Sequence, residues 1–337
     1  MSALLAGIPD LLLHENLPLA GVTRFGLGGP VSWLVDAYSP QALEQAVNRL
    51  AQSRMPFSVI GGGSNLVVAD EPFSGVVLRY REDSIRIVGT RVTVGAGAKL
   101  QDLVDHTVAG GLQGLETMTG IPGWVGGALY GNAGAYGHSL DECVESVVYF
   151  DRRKLHEIDK AACQFRYRES IFKRKKDWIV VTVNLRMTSA VPVQLEQIAR
   201  GIREVRDAKY PPTMRCAGSI FKNLLWIELP EAVRNELPAK VVREGKVPSA
   251  YFLEIAGAKG LRQGGVEVAD YHANLIYNAG GGTAHDVRFL IQELKRRVHA
   301  RFGIQLEEEV QYLPEESGKA NPSLKALRSP RTPKLLK

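Results

Sequence analysis

The stretch Phe57-Ser-Val-Ile-Gly-Gly-Gly-Ser-Asn-Leu-Val-Val-Ala69 carries a short apolar run directly into three glycines and then into a second apolar run. Without Cβ atoms in the way, backbone N–H groups can approach a ligand closely there, as they commonly do around a pyrophosphate. The dinucleotide fingerprint G-x-G-x-x-G nevertheless fails. Leu66 stands at its last position, and strand-like residues follow where a helix should begin. A nucleotide-binding βαβ unit is thereby disfavoured.

Upstream, residues 39–53 read as a helix: Ser39 can cap it, Pro40 suits its first turn, and Leu43, Ala46, Val47 and Leu50 make one apolar stripe. Downstream, residues 66–69, 76–79, 85–88 and 91–94 are strand-like runs parted by turn residues. A helix at about 99–109 follows, with Leu100, Leu103, Val104 and Val108 on one face and Gly110-Gly111 at its end. Next comes Gly120-Ile-Pro-Gly-Trp-Val-Gly-Gly-Ala-Leu-Tyr-Gly-Asn-Ala-Gly-Ala-Tyr-Gly137, seven of whose residues are glycine. It lacks the Lys-Ser/Thr ending of a P-loop. Two dense glycine loops in one region favour a ligand cradle over a set of tight turns.

Residues 144–150 and 178–185 resume strand character on either side of a basic, aromatic stretch. Near 190 the pattern changes, and the main domain boundary is expected there. Leu195, Ile198, Ala199, Ile202 and Val205 predict a helix that Lys209-Tyr-Pro-Pro212 terminates. A long helix is expected over 283–302, with Val287, Leu290, Ile291, Leu294 and Val298 on one face, Thr283 and Asp286 as a capping box, and Gly303 at its end. Residues 306–313 read as a final strand. Strands with interspersed helices in both halves predict a two-part α+β protein.

A chain of 337 residues suggests about two domains of ~150 residues. Its 45% hydrophobic and 23% charged residues are ordinary for a globular protein. No apolar stretch reaches the ~18 residues of a membrane span. Residues 1–13 lack a basic n-region, so a secretory signal is not expected. Cys143, Cys163 and Cys216 are far apart and odd in number, which suggests neither a zinc site nor a disulfide framework and makes the cytoplasm the expected compartment. The seven histidines show no metal-ligating spacing. The net charge of +6 equals the six basic residues after Glu316 (Lys319, Lys325, Arg328, Arg331, Lys334 and Lys337). The remainder is therefore about neutral, no nucleic-acid partner is expected, and residues 315–337 read as a disordered basic tail.

Several segments together resemble the UDP-N-acetylenolpyruvoylglucosamine reductase family. Thr23-Arg-Phe-Gly-Leu-Gly-Gly29, Ile60-Gly-Gly-Gly-Ser-Asn-Leu66, Gly120-Ile-Pro-Gly123, Gly126-Gly-Ala128 and Asn132-Ala-Gly-Ala-Tyr-Gly137 look like its FAD-binding half. Tyr167-Arg-Glu-Ser170, Ala217-Gly-Ser-Ile-Phe-Lys-Asn223 and Leu306-Glu-Glu-Glu-Val310 match its three catalytic segments in order. The short interval between Arg168 and Ser219 resembles the family's second type, without an inserted tyrosine-bearing loop. Leu224, Arg166 and Glu308 depart from the usual pattern without changing an implied catalytic group.

The resemblance implies an FAD-binding domain of the vanillyl-alcohol-oxidase (PCMH) type in two subdomains over residues 20–190, after an N-terminal extension of 1–19. A C-terminal α+β substrate-binding domain over 191–314 would follow, its final strand returning to the flavin site. It implies non-covalent FAD, NADPH as co-substrate, and UDP-N-acetylglucosamine enolpyruvate as substrate of a monomeric, cytoplasmic enzyme of peptidoglycan precursor synthesis. Arg168 would face the substrate carboxylate, Ser219 would donate the proton to the carbanion, and Glu309, if protonated, could hydrogen-bond the developing aci-carboxylate. Gly61, Gly62, Gly63, Ser64, Asn65, Leu66, Ile121, Pro122, Gly123, Gly126, Gly127, Ala128, Asn132, Ala133, Gly134, Ala135 and Tyr136 would hold FAD. Lys209, Asn223 and Asn274 would contact the sugar nucleotide or its carboxylate. Two other readings stand beside this one: an FAD-dependent oxidoreductase of an alcohol or sugar, and a flavin-binding module without turnover.

Overall fold

The computed structural model describes residues 1–314, so the expectation for the tail at 315–337 lies outside the described residues. The first five strands are β1 (Leu11–Pro18), β2 (Pro30–Ala37), β3 (Phe57–Ile60), β4 (Leu66–Val68) and β5 (Phe73–Tyr80). All but β4 join in a sheet of order β1-β2-β5-β3, in which β1 is antiparallel to β2, and β2 and β3 run parallel to β5. Helix α1 (Pro40–Gln52) crosses between β2 and β3 and buries Ala42, Leu43, Ala46, Val47 and Leu50. The Ser39 hydroxyl accepts the Ala42 N–H, as the capping rule asks.

Residues 11–18 were expected in an extension outside the flavin domain. They instead form the edge strand of its first sheet, and Leu5 and Ile8 are buried in its core. The exposure of β1 follows no two-residue alternation, so periodicity alone does not reveal it.

The second sheet has the order β9-β8-β10-β7-β6, antiparallel throughout, from β6 (Ile85–Val88), β7 (Arg91–Gly95), β8 (Val144–Phe150), β9 (Leu155–Asp159) and β10 (Ile179–Arg186). One apolar core unites both sheets with α1, α2 (Leu100–Ala109) and α3 (Val125–Tyr130).

Helix α4 (Pro192–Lys209) was expected to open the second domain. It packs instead against α2 and residues 116–118, and its Leu195 belongs to the first core. Its predicted stripe is not a buried one, since Ile198 and Val205 are exposed. The change of pattern at 190 marks the start of this loosely packed helix, and the chain enters the second core only after Tyr210.

Beyond α4, β11 (Cys216–Ser219), β12 (Arg262–Gln263), β13 (Val266–Val268) and β14 (Leu275–Asn278) form an antiparallel sheet of order β11-β14-β13-β12. Helix α5 (Ala284–Phe302) buries Val287, Leu290, Ile291, Leu294 and Val298 in the core beside this sheet, each such side chain contributing about 1.5–3 kcal/mol. The capping box between Thr283 and Asp286 forms, and Gly303 ends the helix in the left-handed conformation. Phe25, Leu27 and Val67 of the first region insert into this second core.

The predicted strand at 306–313 is divided. Only β15 (Gln311–Leu313) is regular, pairing parallel with β4. Residues 307–309 bond instead to the chain around 220–222, through Lys222 N–H to the Glu307 carbonyl and Glu309 N–H to the Ile220 carbonyl. The segment thus changes partner midway, which interrupts the ladder.

Candidate active site

The glycine run lies where β3 leaves its parallel neighbour β5, and forms one wall of a cleft of about 1440 Å³. Tyr80, Gly126, Gly127, Trp178 and the stretch 305–313 supply other walls. Gly63 has φ +65°, and a Cβ there would stand 2.2 Å from the Val22 carbonyl oxygen. The Thr23–Gly29 motif therefore seats the loop, and Arg24 N–H donates to the Gly63 carbonyl. Gly62 is pressed against the Trp124 indole, while a Cβ on Gly127 would meet only open space. Gly123, at φ +113°, stands so near Ser64 that a Cβ would lie 2.5 Å from its hydroxyl, which joins the two glycine loops.

Among the described residues, the N–H groups of Gly62, Gly63, Ser64 and Asn65 donate to no protein acceptor. The Tyr80 hydroxyl on the cleft wall is buried with no partner, and its burial, followed by Glu82, raises its pKa well above the ordinary value. Consecutive free amides suit a pyrophosphate, and a buried orphan hydroxyl calls for a ligand. The residues present fit FAD.

Arg168 adopts φ +57°, an uncommon conformation for a long side chain. Several contacts fix it there. Lys173 donates to its carbonyl at 2.7 Å, and its guanidinium donates to the carbonyls of Gly134 at 2.7 Å and Asn132 at 3.4 Å. Its Nε lies 2.8 Å from Glu309 Oε1, with the N–H aimed off the carboxylate, which makes an ion pair without a well-aligned hydrogen bond. The Glu309 carbonyl accepts from Asn65 Nδ2 at 2.9 Å, and its N–H reaches the Ile220 carbonyl at 2.8 Å. Glu309 thereby ties the glycine loop to the residue after Ser219.

Ser219 ends β11 opposite Leu275, and its hydroxyl lies 3.0 Å from the Tyr210 hydroxyl. It does not itself line the cleft but stands beside it, one residue from the carbonyl that Glu309 grips. Tyr210 was read from the sequence only as part of a helix terminator. It has a raised pKa through burial, opposed by the Ser219 hydrogen bond and by Arg206.

A second missed group is Lys222, 7% exposed, whose ammonium donates to Glu169 at 2.7 Å and to Glu307 at 2.6 Å. Burial works to lower its pKa, but the two carboxylates outweigh that and raise it. Likewise burial works to raise the Glu169 pKa, and Lys222 and Lys173 bring it below its ordinary value. Lys222 follows Ser219 by three residues, Glu169 adjoins Arg168, and Glu307 precedes Glu309 by two. One ammonium therefore clips together the three segments that carry Arg168, Ser219 and Glu309. The available signal was a lone lysine behind the apolar pair Ile220-Phe221. Lys222→Met should lower stability by about 2 kcal/mol, less than for a fully buried pair because both carboxylates retain solvent. Chemical denaturation with and without FAD measures it, and an unchanged midpoint would contradict the clip.

The other expected residues divide into groups. Gly61, Gly62, Gly63, Ser64, Asn65, Leu66, Gly126 and Gly127 line the cleft, whereas Ile121, Pro122, Gly123, Ala128, Asn132, Ala133, Gly134, Ala135 and Tyr136 do not. Ala128 faces the core, and Tyr136 is exposed. Asn132 uses its side chain on Asp141 and the Arg166 carbonyl, so the 132–134 segment acts as a bracket for Arg168. Asn274 is buried, with its oxygen accepting the Phe221 N–H and its nitrogen donating to the Phe221 carbonyl and the Ser249 hydroxyl. With both amide hydrogens engaged it braces the backbone after Ser219, in place of the substrate contact expected of it. Asn223 is exposed, its N–H donating to the Tyr167 hydroxyl, and Lys209 places its ammonium 5.1 Å from the centre of the Tyr210 ring.

Fold and cleft define a class: a flavoprotein with a vanillyl-alcohol-oxidase-type FAD-binding domain joined to a second α+β unit. A family model described as an FAD binding domain matches residues 32–153, and one described as the UDP-N-acetylenolpyruvoylglucosamine reductase C-terminal domain matches residues 210–313. The UDP-N-acetylenolpyruvoylglucosamine reductase of Solibacter usitatus is 54% identical over 92% of this chain and 99% of its own length. That of Bacillus subtilis is 32% identical over 88% of this chain and 93% of its own. The crystal structure of the Thermus caldophilus reductase superposes with a TM-score of 0.71 at 28% identity, covering 90% of this chain and 99% of that one. The chain belongs to the UDP-N-acetylenolpyruvoylglucosamine reductase family.

Its cofactor is FAD. Among the described residues no His or Cys lines the cleft, and all three cysteines are buried elsewhere. Acid denaturation should therefore release the yellow colour into the supernatant. Colour retained on the precipitated protein would show a covalent link.

Proposed function

We propose that this chain reduces UDP-N-acetylglucosamine enolpyruvate to UDP-N-acetylmuramate with NADPH, in peptidoglycan precursor synthesis, and that Arg168, Glu309 and Ser219 manage the charge and the proton. The observation that carries this reading is the Arg168–Glu309 pair at 2.8 Å on the wall of the glycine-loop cleft, with Ser219 one residue from Glu309's backbone partner. FAD, when bound, supplies the hydride chemistry, taking hydride from NADPH and giving it to the terminal carbon of the enolpyruvyl group.

The protein's own task is the charge that then develops on the adjacent carbon and spreads into the carboxylate. Arg168 meets that carboxylate with a planar, permanently charged fork, held in place by the Gly134 and Asn132 carbonyls. Its remaining terminal N–H groups are the ones that can meet an oxyanion, since the Nε–H is buried. Glu309, paired with the Arg168 Nε, holds the guanidinium at the cleft wall. Ser219 gives its hydroxyl proton to the carbon, which is basic enough to accept it when water is excluded. Lys222 and Asn274 hold the three segments in register.

No helix among the described residues is long and apolar enough to cross a membrane, and the buried free thiols suit the cytoplasm. Anaerobic assay with NADPH and the enolpyruvyl sugar should consume the two one for one. An oxidase of alcohols or sugars would need no proton donor at Ser219, and NADPH oxidation independent of the enolpyruvyl sugar would overturn the reading.

A further inference from the structure

We propose that Tyr210 is a second catalytic acid: it hydrogen-bonds Ser219 and replaces the proton that Ser219 gives to the substrate carbon. The inference rests on the reading of Ser219 as proton donor and extends it by one link. The two hydroxyls are 3.0 Å apart, close enough for direct transfer. No other hydrogen bond to either side-chain oxygen is found among the described residues. With Tyr210 donating, the Ser219 proton is free to point away from the tyrosine toward a substrate.

The step balances without any change of oxidation state. The Ser219 O–H bond breaks as the new C–H bond forms. The electron pair left on Ser219 Oγ takes the Tyr210 proton, and the resulting phenolate regains one from water. The relay is downhill in basicity, because an aliphatic alkoxide is a far stronger base than a phenolate, whose acid has a pKa of about 10.

Two cations stand close to the phenol. The Arg206 guanidinium lies 5.5 Å and the Lys209 ammonium 5.1 Å from the ring centre. Burial, the largest effect, disfavours a phenolate, and Glu309 opposes it too, while Arg206 attracts it, so the tyrosine returns to its neutral form once the proton has passed. The neighbouring His272, 6.1 Å away ring to ring, is held neutral at pH 7 by burial and Lys209, its pKa lowered to about 4. It adds no charge. Tyr210 also sits where α4 ends and the second core begins, with the Tyr271 hydroxyl donating to the Lys209 carbonyl just before it. The backbone that carries the phenol is thus anchored on the side of Ser219.

The test is a double-mutant cycle read in the two half-reactions without oxygen. Tyr210→Phe keeps the ring beside its cations and removes only the hydroxyl, and equal FAD content with normal bleaching by NADPH verifies its fold. Its reoxidation by the enolpyruvyl sugar should slow roughly ten- to a hundred-fold. In the Ser219→Ala background the same change should slow reoxidation no further, because the residue acts only through the serine. The same slowing factor in both backgrounds, or none in the parent, would overturn the role of Tyr210 while leaving Ser219 untouched. Normal reoxidation by Ser219→Ala alone would instead remove the reading beneath it, and the relay with it.

Discussion

Ser219→Ala is expected to be bleached by NADPH at nearly the normal rate and to reoxidise with the enolpyruvyl sugar ~10²–10⁴-fold more slowly. The asymmetry follows from where the hydroxyl acts. Hydride transfer from NADPH asks no proton of the sugar, and the alanine leaves the pairing of residue 219 with Leu275 intact. It also leaves the contacts that hold the glycine loop, since Glu309 reaches Asn65 and Ile220 through its backbone. Only the second half-reaction develops charge on carbon, and only there is a positioned proton missing. Stopped-flow absorbance separates the halves. Equal slowing of both would show a structural serine, and normal rates in both would remove Ser219 from the mechanism.

Arg168→Lys is expected to lower kcat at least ~10-fold, equivalent to about 1.4 kcal/mol of transition-state stabilisation. The backbone cost of φ +57° is the same for both residues, so the comparison isolates the side chain. The guanidinium addresses the Gly134 and Asn132 carbonyls with two of its nitrogens and Glu309 with the third. An ammonium offers a single point of charge, and cannot keep those supports while meeting a planar carboxylate. Steady-state turnover with saturating NADPH measures the effect. Near-normal kcat would mean that charge alone suffices at this position.

The parts of this arrangement legible in the sequence are those written in short range. Ser39-Pro40, the Thr283–Asp286 box and Gly303 announce their helices because caps and stripes are local. The glycine loops and the order of the three catalytic segments announce the flavin cleft and the identity of Arg168, Ser219 and Glu309 as candidates. What stayed hidden depends on contacts between distant segments. The edge strand at residues 11–18 is defined by its partner β2, not by its own pattern. Helix α4 looks amphipathic yet leaves Ile198 and Val205 exposed, and nothing local says which core receives Leu195. Lys222 is unremarkable until two carboxylates from residues 169 and 307 meet it, and Tyr210 until the chain turns back to Ser219. Asn274 illustrates the opposite case: a residue matched to a ligand role has its amide engaged by the backbone it braces.

The parallel pairing of β15 with β4 sets a condition on the birth of the enzyme. Gln311–Leu313 meet strand residues 66–68, and Glu309 reaches back 244 positions to Asn65, so the cleft closes only when almost the whole described chain has been made. A ribosome-bound chain can settle its first core early, since amino-terminal regions fold first during synthesis. It cannot yet complete the wall that residues 305–313 supply, because contacts of such long sequence separation form late. Cofactor capture and reductase competence therefore wait until residue 313 has been made, and a nascent chain halted before residue 305 carries a glycine loop with no closed chamber around it.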